Sequence, residues 1–240
     1  MSNMYGADFE TYIVAEATKH GFAEPKRSRW IEYMLRDTSC ADLTQALLQD
    51  SRVHRGNGRR ALDVGCGYGN ILLGLRPHFE HLSGIEIVEE RAAWAKARVP
   101  RGDIVCGSAT SLPWPNDYFD LVISTDVFEH ISFAEQNVAS AELFRVLKAD
   151  GLGIITVPNR FQFMDEHNLL PLGTWLPDPL KRRYVRAFSK EANYVKCWER
   201  SGRGWNRLFK NAGFETTTLP VGRHRYLRTA DRYHVHLMKS

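Results

Sequence analysis

From residue 60 onward, short apolar runs alternate with stretches whose apolar residues recur every three or four positions. The runs predict strands at 60–65, "HLSGIEI" (81–87), "DIVC" (103–106), "FDLVIST" (119–125) and "GLGIITV" (151–157). Between them "EERAAWAKAR" (89–98) and "SFAEQNVASAELFRVL" (132–147) have the helical period. Ser132 and Glu135 stand at capping-box spacing and predict where the second of these helices starts. Strand and helix in alternation imply a parallel sheet covered on both faces. The tail changes pattern. "GWNRLFKNAGFETTTLPV" (204–221) reads as a helix stopped at Gly213 and followed by a strand, and "DRYHVHLMK" (231–239) alternates like a half-buried strand. Two such strands predict an antiparallel pair closing the sheet. The expected fold is α/β, Rossmann-like and doubly wound, with a mostly parallel seven-stranded sheet.

Two stretches stand outside the alternation. Residues 1–54 have a helical pattern and are read as an N-terminal segment ahead of a domain at 55–240. Residues 158–200 contain Pro158, Pro171, Pro177 and Pro179, which are expected to break any long helix. This stretch follows a strand's carboxyl end, where open α/β sheets place their ligands, so it is read as an insertion capping the site.

Composition narrows the picture little. The chain has 240 residues, 43% of them hydrophobic and 25% charged, as expected of an ordinary globular protein. No apolar run is long enough to span a bilayer, and the N-terminus lacks an apolar signal core. The four cysteines lack paired spacing, which argues against a disulfide framework or a zinc site and makes a reducing cytoplasm the expected compartment. The net charge is only +4, but basic residues crowd "KRRYVR" (181–186), "RSGRGWNRLFK" (200–210) and "RHRYLR" (223–228). Such a face suits nucleic acid, an acidic small substrate or simple solvation.

The chemistry starts at "ALDVGCGYGN" (61–70), where a strand runs into Gly65, Gly67 and Gly69. Glycines at a first strand-to-helix turn let the backbone bend tightly and approach a ligand. Asn70 occupies the place of the third glycine of a dinucleotide fingerprint. Asp63 precedes the loop inside the strand, and Glu86 ends the next strand at the distance expected of a ribose acceptor. With "CGSATSLP" after the third strand and "YFDLVISTDVFEHI" around the fourth, the series resembles the class I S-adenosylmethionine-dependent methyltransferases over roughly residues 55–158 and again in the tail.

The resemblance implies S-adenosylmethionine as cofactor and S-adenosylhomocysteine as product. The loop of Gly65, Cys66, Gly67, Gly69 and Asn70 would lie along the methionine part, with Asp63 near its amino group. Glu86 would accept from the ribose hydroxyls and Ile87 would flank the adenine. Family members often have an acidic residue where this chain has Ser108, so the adenine contact would fall to backbone groups of Ala109 and Thr110. Thr125 and Asp126 would border the methyl-bearing end.

The acceptor side is less defined. The fourth strand lacks the proline pair of enzymes that methylate base amines, and no cysteine follows a proline as in cytosine C5 enzymes, so nucleic acid falls behind. "DVFEH" (126–130) is similar to the E-x-x-E-H stretch of ubiquinone-pathway and related small-molecule O-methyltransferases. This implies transfer to a hydroxyl of a small molecule, glycan or lipid-linked metabolite, with His130 as base and Asp126 beside it. His167 in "DEHN" (165–168) is a second candidate base. In some relatives the two carboxylates and the histidine bind a divalent cation. Asp126 in the first place shortens that reach by one methylene, and transfer without a metal is the reading adopted. N- or C-methylation, an RNA acceptor on the basic tail, and a non-catalytic cofactor-binding module remain the alternatives.

Overall fold

The computed structural model describes residues 6–19, 24, 26–35, 53, 56–165, 168, 170–189, 194, 196–221 and 230–239. Its centre is a seven-stranded sheet of β1 (Gly56–Val64), β2 (Phe79–Glu86), β3 (Asp103–Cys106), β4 (Phe119–Thr125), β5 (Leu147–Pro158), β8 (Phe214–Val221) and β9 (Arg232–Lys239) in the order β3-β2-β1-β4-β5-β9-β8. The first five are parallel; β9 runs antiparallel to β5, and β8 antiparallel to β9. The expected doubly wound sheet with an antiparallel edge pair is therefore what forms. Strand order reverses between β1 and β4, so the crevice beyond their carboxyl ends is the natural ligand site.

The alternation of side chains explains the two layers. Leu62, Val64, Val122, Ile155 and Val157 pack into one apolar cluster, with Leu143 of α5 (Phe133–Val146) and Trp205, Leu208 and Phe209 of α7 (Gly202–Asn211). Their neighbours Ala61, Leu121, Ile123, Leu152 and Ile154 face the opposite way, onto Leu72 and Leu75 of α3 (Asn70–Leu75) and Ala95 of α4 (Glu89–Arg98). A period of two on strands buried on both faces puts alternate residues into different cores. The predicted capping box is present. Ser132 Oγ accepts from the Glu135 N–H at 3.4 Å, and a Glu135 oxygen accepts from the Ser132 N–H at 3.3 Å. Gly213 ends α7 at φ +104, where a Cβ would stand 2.9 Å from the Phe144 ring.

The N-terminal helices α1 (Gly6–Lys19) and α2 (Lys26–Leu35) share an apolar cluster with Tyr68 of the glycine turn. Phe9 and Tyr12 of α1 stack against Tyr68 and Trp94, with ring centroids 5.0–6.0 Å apart.

The described part of residues 158–200 is more ordered than its prolines suggest. It contains a short hairpin of β6 (Met164–Asp165) and β7 (Leu170–Pro171), a turn at Gly173–Trp175, and the eleven-residue helix α6 (Asp178–Phe188). Pro179 sits in the first turn of α6, where a missing N–H forfeits no helical bond, so an eleven-residue helix is compatible with it. Lys181 of α6 is buried between Asp165 Oδ2 at 3.1 Å and Glu199 Oε1 at 3.3 Å. One basic cluster thus spends its single lysine inside the protein. Residues 223–228 of the tail lie outside the described residues.

Candidate active site

The turn after β1 is built on left-handed backbone: φ is +79 at Gly65, +52 at Gly67 and +81 at Gly69. A Cβ on Gly65 would stand 2.2 Å from Val127 Cγ2, whereas one on Gly67 would meet nothing within 4 Å. The first glycine therefore serves close packing and the second borders open space. Cys66 anchors the turn through its N–H, 3.0 Å from the Ile85 carbonyl, while its buried side chain joins the core. Asn70 begins α3; its Oδ1 accepts from Arg98 of α4, which also donates to the Tyr68 carbonyl at 2.7 Å. That side chain fastens α3 to α4.

Two carboxyls lie under the turn. Asp63 is 1% exposed, and its Oδ1 has no hydrogen-bond partner among the described residues. Burial, followed by the charge of Glu86, pushes its pKa up to about 8. Glu86 accepts from the Gly67 N–H at 3.0 Å and the Val88 N–H at 2.9 Å, one on each oxygen. It thereby holds the glycine turn to the end of β2. A carboxylate has about four lone-pair sites, so each oxygen keeps acceptor capacity. Ile87 beside it is 71% exposed. After β3, Ser108 and Thr110 bond hydroxyl to hydroxyl at 2.8 Å, and the Ser108 Oγ accepts from the Thr110 N–H at 3.2 Å. This closes a tight turn through Ala109 in which the serine hydroxyl is spent locally.

Beyond β4, Thr125 has a buried hydroxyl without a partner among the described residues. Asp126 has φ 55, in the left-handed region that Asp enters more readily than most non-glycine residues. Its carboxylate oxygens lie 3.0 and 2.9 Å from Nη1 of Arg232 in β9. Glu129 is buried, and its carboxyl is pushed well above the usual range by burial and then by the Asp126 charge. His130 ends the short turn Phe128–His130 with its Nδ1 3.9 Å from Cys197 Sγ. The ring is exposed on one side and crowded by protein on the other. That desolvation lowers its pKa below 6.5, against the opposing pull of Asp126. Among the described residues no group of three or more His, Cys, Asp or Glu side chains is arranged to hold a metal. His167 and Glu166 lie outside the described residues.

Gln136 and Arg232 were invisible to motif reading. Gln136, fully buried in α5, donates to the carbonyls of Phe128 at 2.8 Å, Ile131 at 3.1 Å and Trp198 at 3.0 Å. It ties the His130 turn to segment 196–200, whose Trp198 N–H also donates to the Glu129 carbonyl at 2.7 Å. The only hint in the sequence was a polar residue on the inner face of a helix.

Residues 62–155 match the family model described as a methyltransferase domain. That stretch is similar to the methyltransferase domain of the class I S-adenosylmethionine-dependent family, a likeness that implies S-adenosylmethionine as cofactor. It is 36% identical over 110 residues to a "probable S-adenosylmethionine-dependent methyltransferase" of Mycolicibacterium smegmatis, which covers 46% of this chain and 42% of that one. It is 34% identical over 155 residues to the uncharacterized methyltransferase YcgJ of Bacillus subtilis, covering 62% and 54%. The chain thus spans about half the length of these curated relatives. In fold it is similar to a SAM-dependent methyltransferase from Aquifex aeolicus, with TM-score 0.59 and 17% identity over 95% of this chain and 98% of that one. No helix among the described residues is long and apolar enough to cross a membrane.

Proposed function

We propose that this chain transfers the methyl group of S-adenosylmethionine to a hydroxyl of a small-molecule, glycan-like or lipid-linked acceptor. The observation that carries the reading is the buried, unpartnered Asp63 Oδ1 beneath a glycine turn with open space at Gly67. A buried acceptor of this kind suits a ligand ammonium, as on the methionine end of the cofactor. Glu86 keeps lone pairs for two ribose hydroxyls, and exposed Ile87 offers a flat apolar surface to the adenine. The turn at Ser108, Ala109 and Thr110 offers the adenine edge backbone groups. Thr125 and Asp126 border the reacting end.

S-adenosylmethionine supplies a methyl group on positively charged sulfur. The chain's part is to align the acceptor oxygen in line with that methyl and to take its proton. His130 suits the second task because its lowered pKa keeps the imidazole neutral, hence basic, at neutral pH. Asp126, held by Arg232, gives the nascent imidazolium a nearby negative charge.

Transfer to carbon is the second reading. It is supported by similarity to a rice 2-methyl-6-phytyl-1,4-hydroquinone methyltransferase, 24% identical over 177 residues, and a rice 24-methylenesterol C-methyltransferase, 31% identical over 135 residues. The test is incubation with methyl-labelled S-adenosylmethionine and a panel of phenols, sugars and lipid alcohols, with the product's new bond assigned by NMR. An O-methyl resonance is expected. A methyl on carbon would replace the hydroxyl reading, and no turnover with any acceptor would remove both.

A further inference from the structure

A cleft of ≈ 280 Å³ lies within residues 158–200, between their 160–181 part and segment 196–199, with Phe133 at its edge. Phe133, Leu176 and Trp198 supply its apolar wall, and Arg160, Lys196 and Thr174 also line it. Its acidic residues are already committed. Glu199 pairs with Lys181, which Asp165 also holds, and Asp178 takes Arg182 at 3.0 Å and the Tyr194 hydroxyl at 2.6 Å. Arg160 and Lys196 have no such ion pair among the described residues; the Lys196 ammonium rests 4.6 Å from the centre of the Trp198 ring. Thr174 is 3% exposed and its hydroxyl has no hydrogen-bond partner among the described residues. The candidate base stands behind this lining: Cys197, another lining residue, has its Sγ 3.9 Å from His130 Nδ1.

Two cations outside any ion pair, although Lys196 rests on Trp198 and its charge is felt by Asp178, an unsatisfied buried hydroxyl and an aromatic–aliphatic wall are the complement of an anionic group attached to a flat apolar body. We infer that this cleft is the acceptor subsite and that it selects acceptors bearing a carboxylate or phosphate next to an aromatic or similarly apolar ring. The anion sits between Arg160 and Lys196 and accepts from the Thr174 hydroxyl, while the ring packs on Trp198 and Phe133. This rests on the methyl-transfer reading above for its role, but the anion site itself does not.

The probes are benzoate, phenyl phosphate and neutral benzamide, titrated calorimetrically into the whole protein with and without S-adenosylhomocysteine. One of the two anions is expected to bind about tenfold or more tighter than benzamide, and the better anion tells carboxylate from phosphate. Arg160→Gln with Lys196→Gln should bring that ratio close to one, and Thr174→Val should weaken the better anion about threefold. S-adenosylhomocysteine affinity should stay unchanged in all of them. Benzamide binding as well as both anions, binding of none of the three, or an anion preference that survives the double substitution overturns the inference. Anion preference without any S-adenosylhomocysteine binding supports the anion site and removes the methyl-transfer reading instead.

Discussion

Arg200 Nε donates to Gln136 Oε1 at 2.6 Å, and through this contact the segment that walls the acceptor cleft is fastened to the helix behind His130. The Gln136 amide nitrogen meanwhile serves three backbone carbonyls. Gln136→Leu keeps the volume and removes every one of these bonds, taking their side-chain donor from the carbonyls of Ile131 and Trp198 while that of Phe128 keeps the Ile131 N–H at 3.2 Å. We expect a loss of about 2 kcal/mol or more in urea unfolding. Turnover should fall further than cofactor affinity, because the His130 turn and residues 196–200 would no longer share a frame. An unchanged unfolding midpoint would show that water replaces the amide.

Gly67→Val should eliminate S-adenosylhomocysteine binding in a folded protein. Its φ of +52 disfavours a β-branched residue, and the new methyls would fill the open space beside the turn. Glu86→Ala should also weaken binding, by about 1.5–3 kcal/mol or more, since the Gly67 N–H loses its acceptor along with the ribose. Calorimetry on both variants decides; full affinity in either would move the cofactor elsewhere.

Asp63 makes cofactor binding a proton-linked event. With its pKa near 8, the carboxyl is mostly protonated at pH 7 in the free protein. An ammonium placed against it favours the charged form, so S-adenosylhomocysteine binding at pH 7 should release a proton from this group. The signature is a binding enthalpy that varies with the ionisation enthalpy of the buffer. The free protein should also lose stability as pH rises from the unfolded carboxyl value of about 4 toward 8, because the raised folded pKa favours the protonated form. Asp63→Asn should remove that slope and the buffer dependence together, and a wild-type enthalpy identical in all buffers would refute the linkage.

His130→Phe should lower turnover by about 10²–10⁴-fold while cofactor affinity stays nearly intact. Because the folded pKa lies below 6.5, the rate of the native protein should rise with pH through a limb below that value and be flat above it. A near-native rate with the same pH profile would make His130 a packing residue beside Cys197. Loss of activity with chelator and its return with Mg²⁺ would instead favour a cation on Asp126, Glu129 and His130.

What the sequence determined by itself is local. The strand runs, the helix periods, the capping box at Ser132 and the glycine turn follow from spacing along a few residues, as does the place of Asp63 and Glu86 at strand ends. Periodicity and turn chemistry act over such distances, so they are legible without the fold. Tertiary structure alone decided the rest. Arg232 reaches Asp126 from 106 residues away because β9 returns antiparallel to β5, whose neighbour β4 ends at Asp126's doorstep. Lys181, in a run that reads as a basic surface, is drawn inside by Asp165 and Glu199 from either side of its helix in sequence. Pro179 stands in the first turn of a helix that begins only after Pro177, a placement the spacing of the prolines did not reveal. In each case the outcome depends on which distant groups the packing brings within hydrogen-bond reach, and a buried charge or amide takes whatever partner satisfies it.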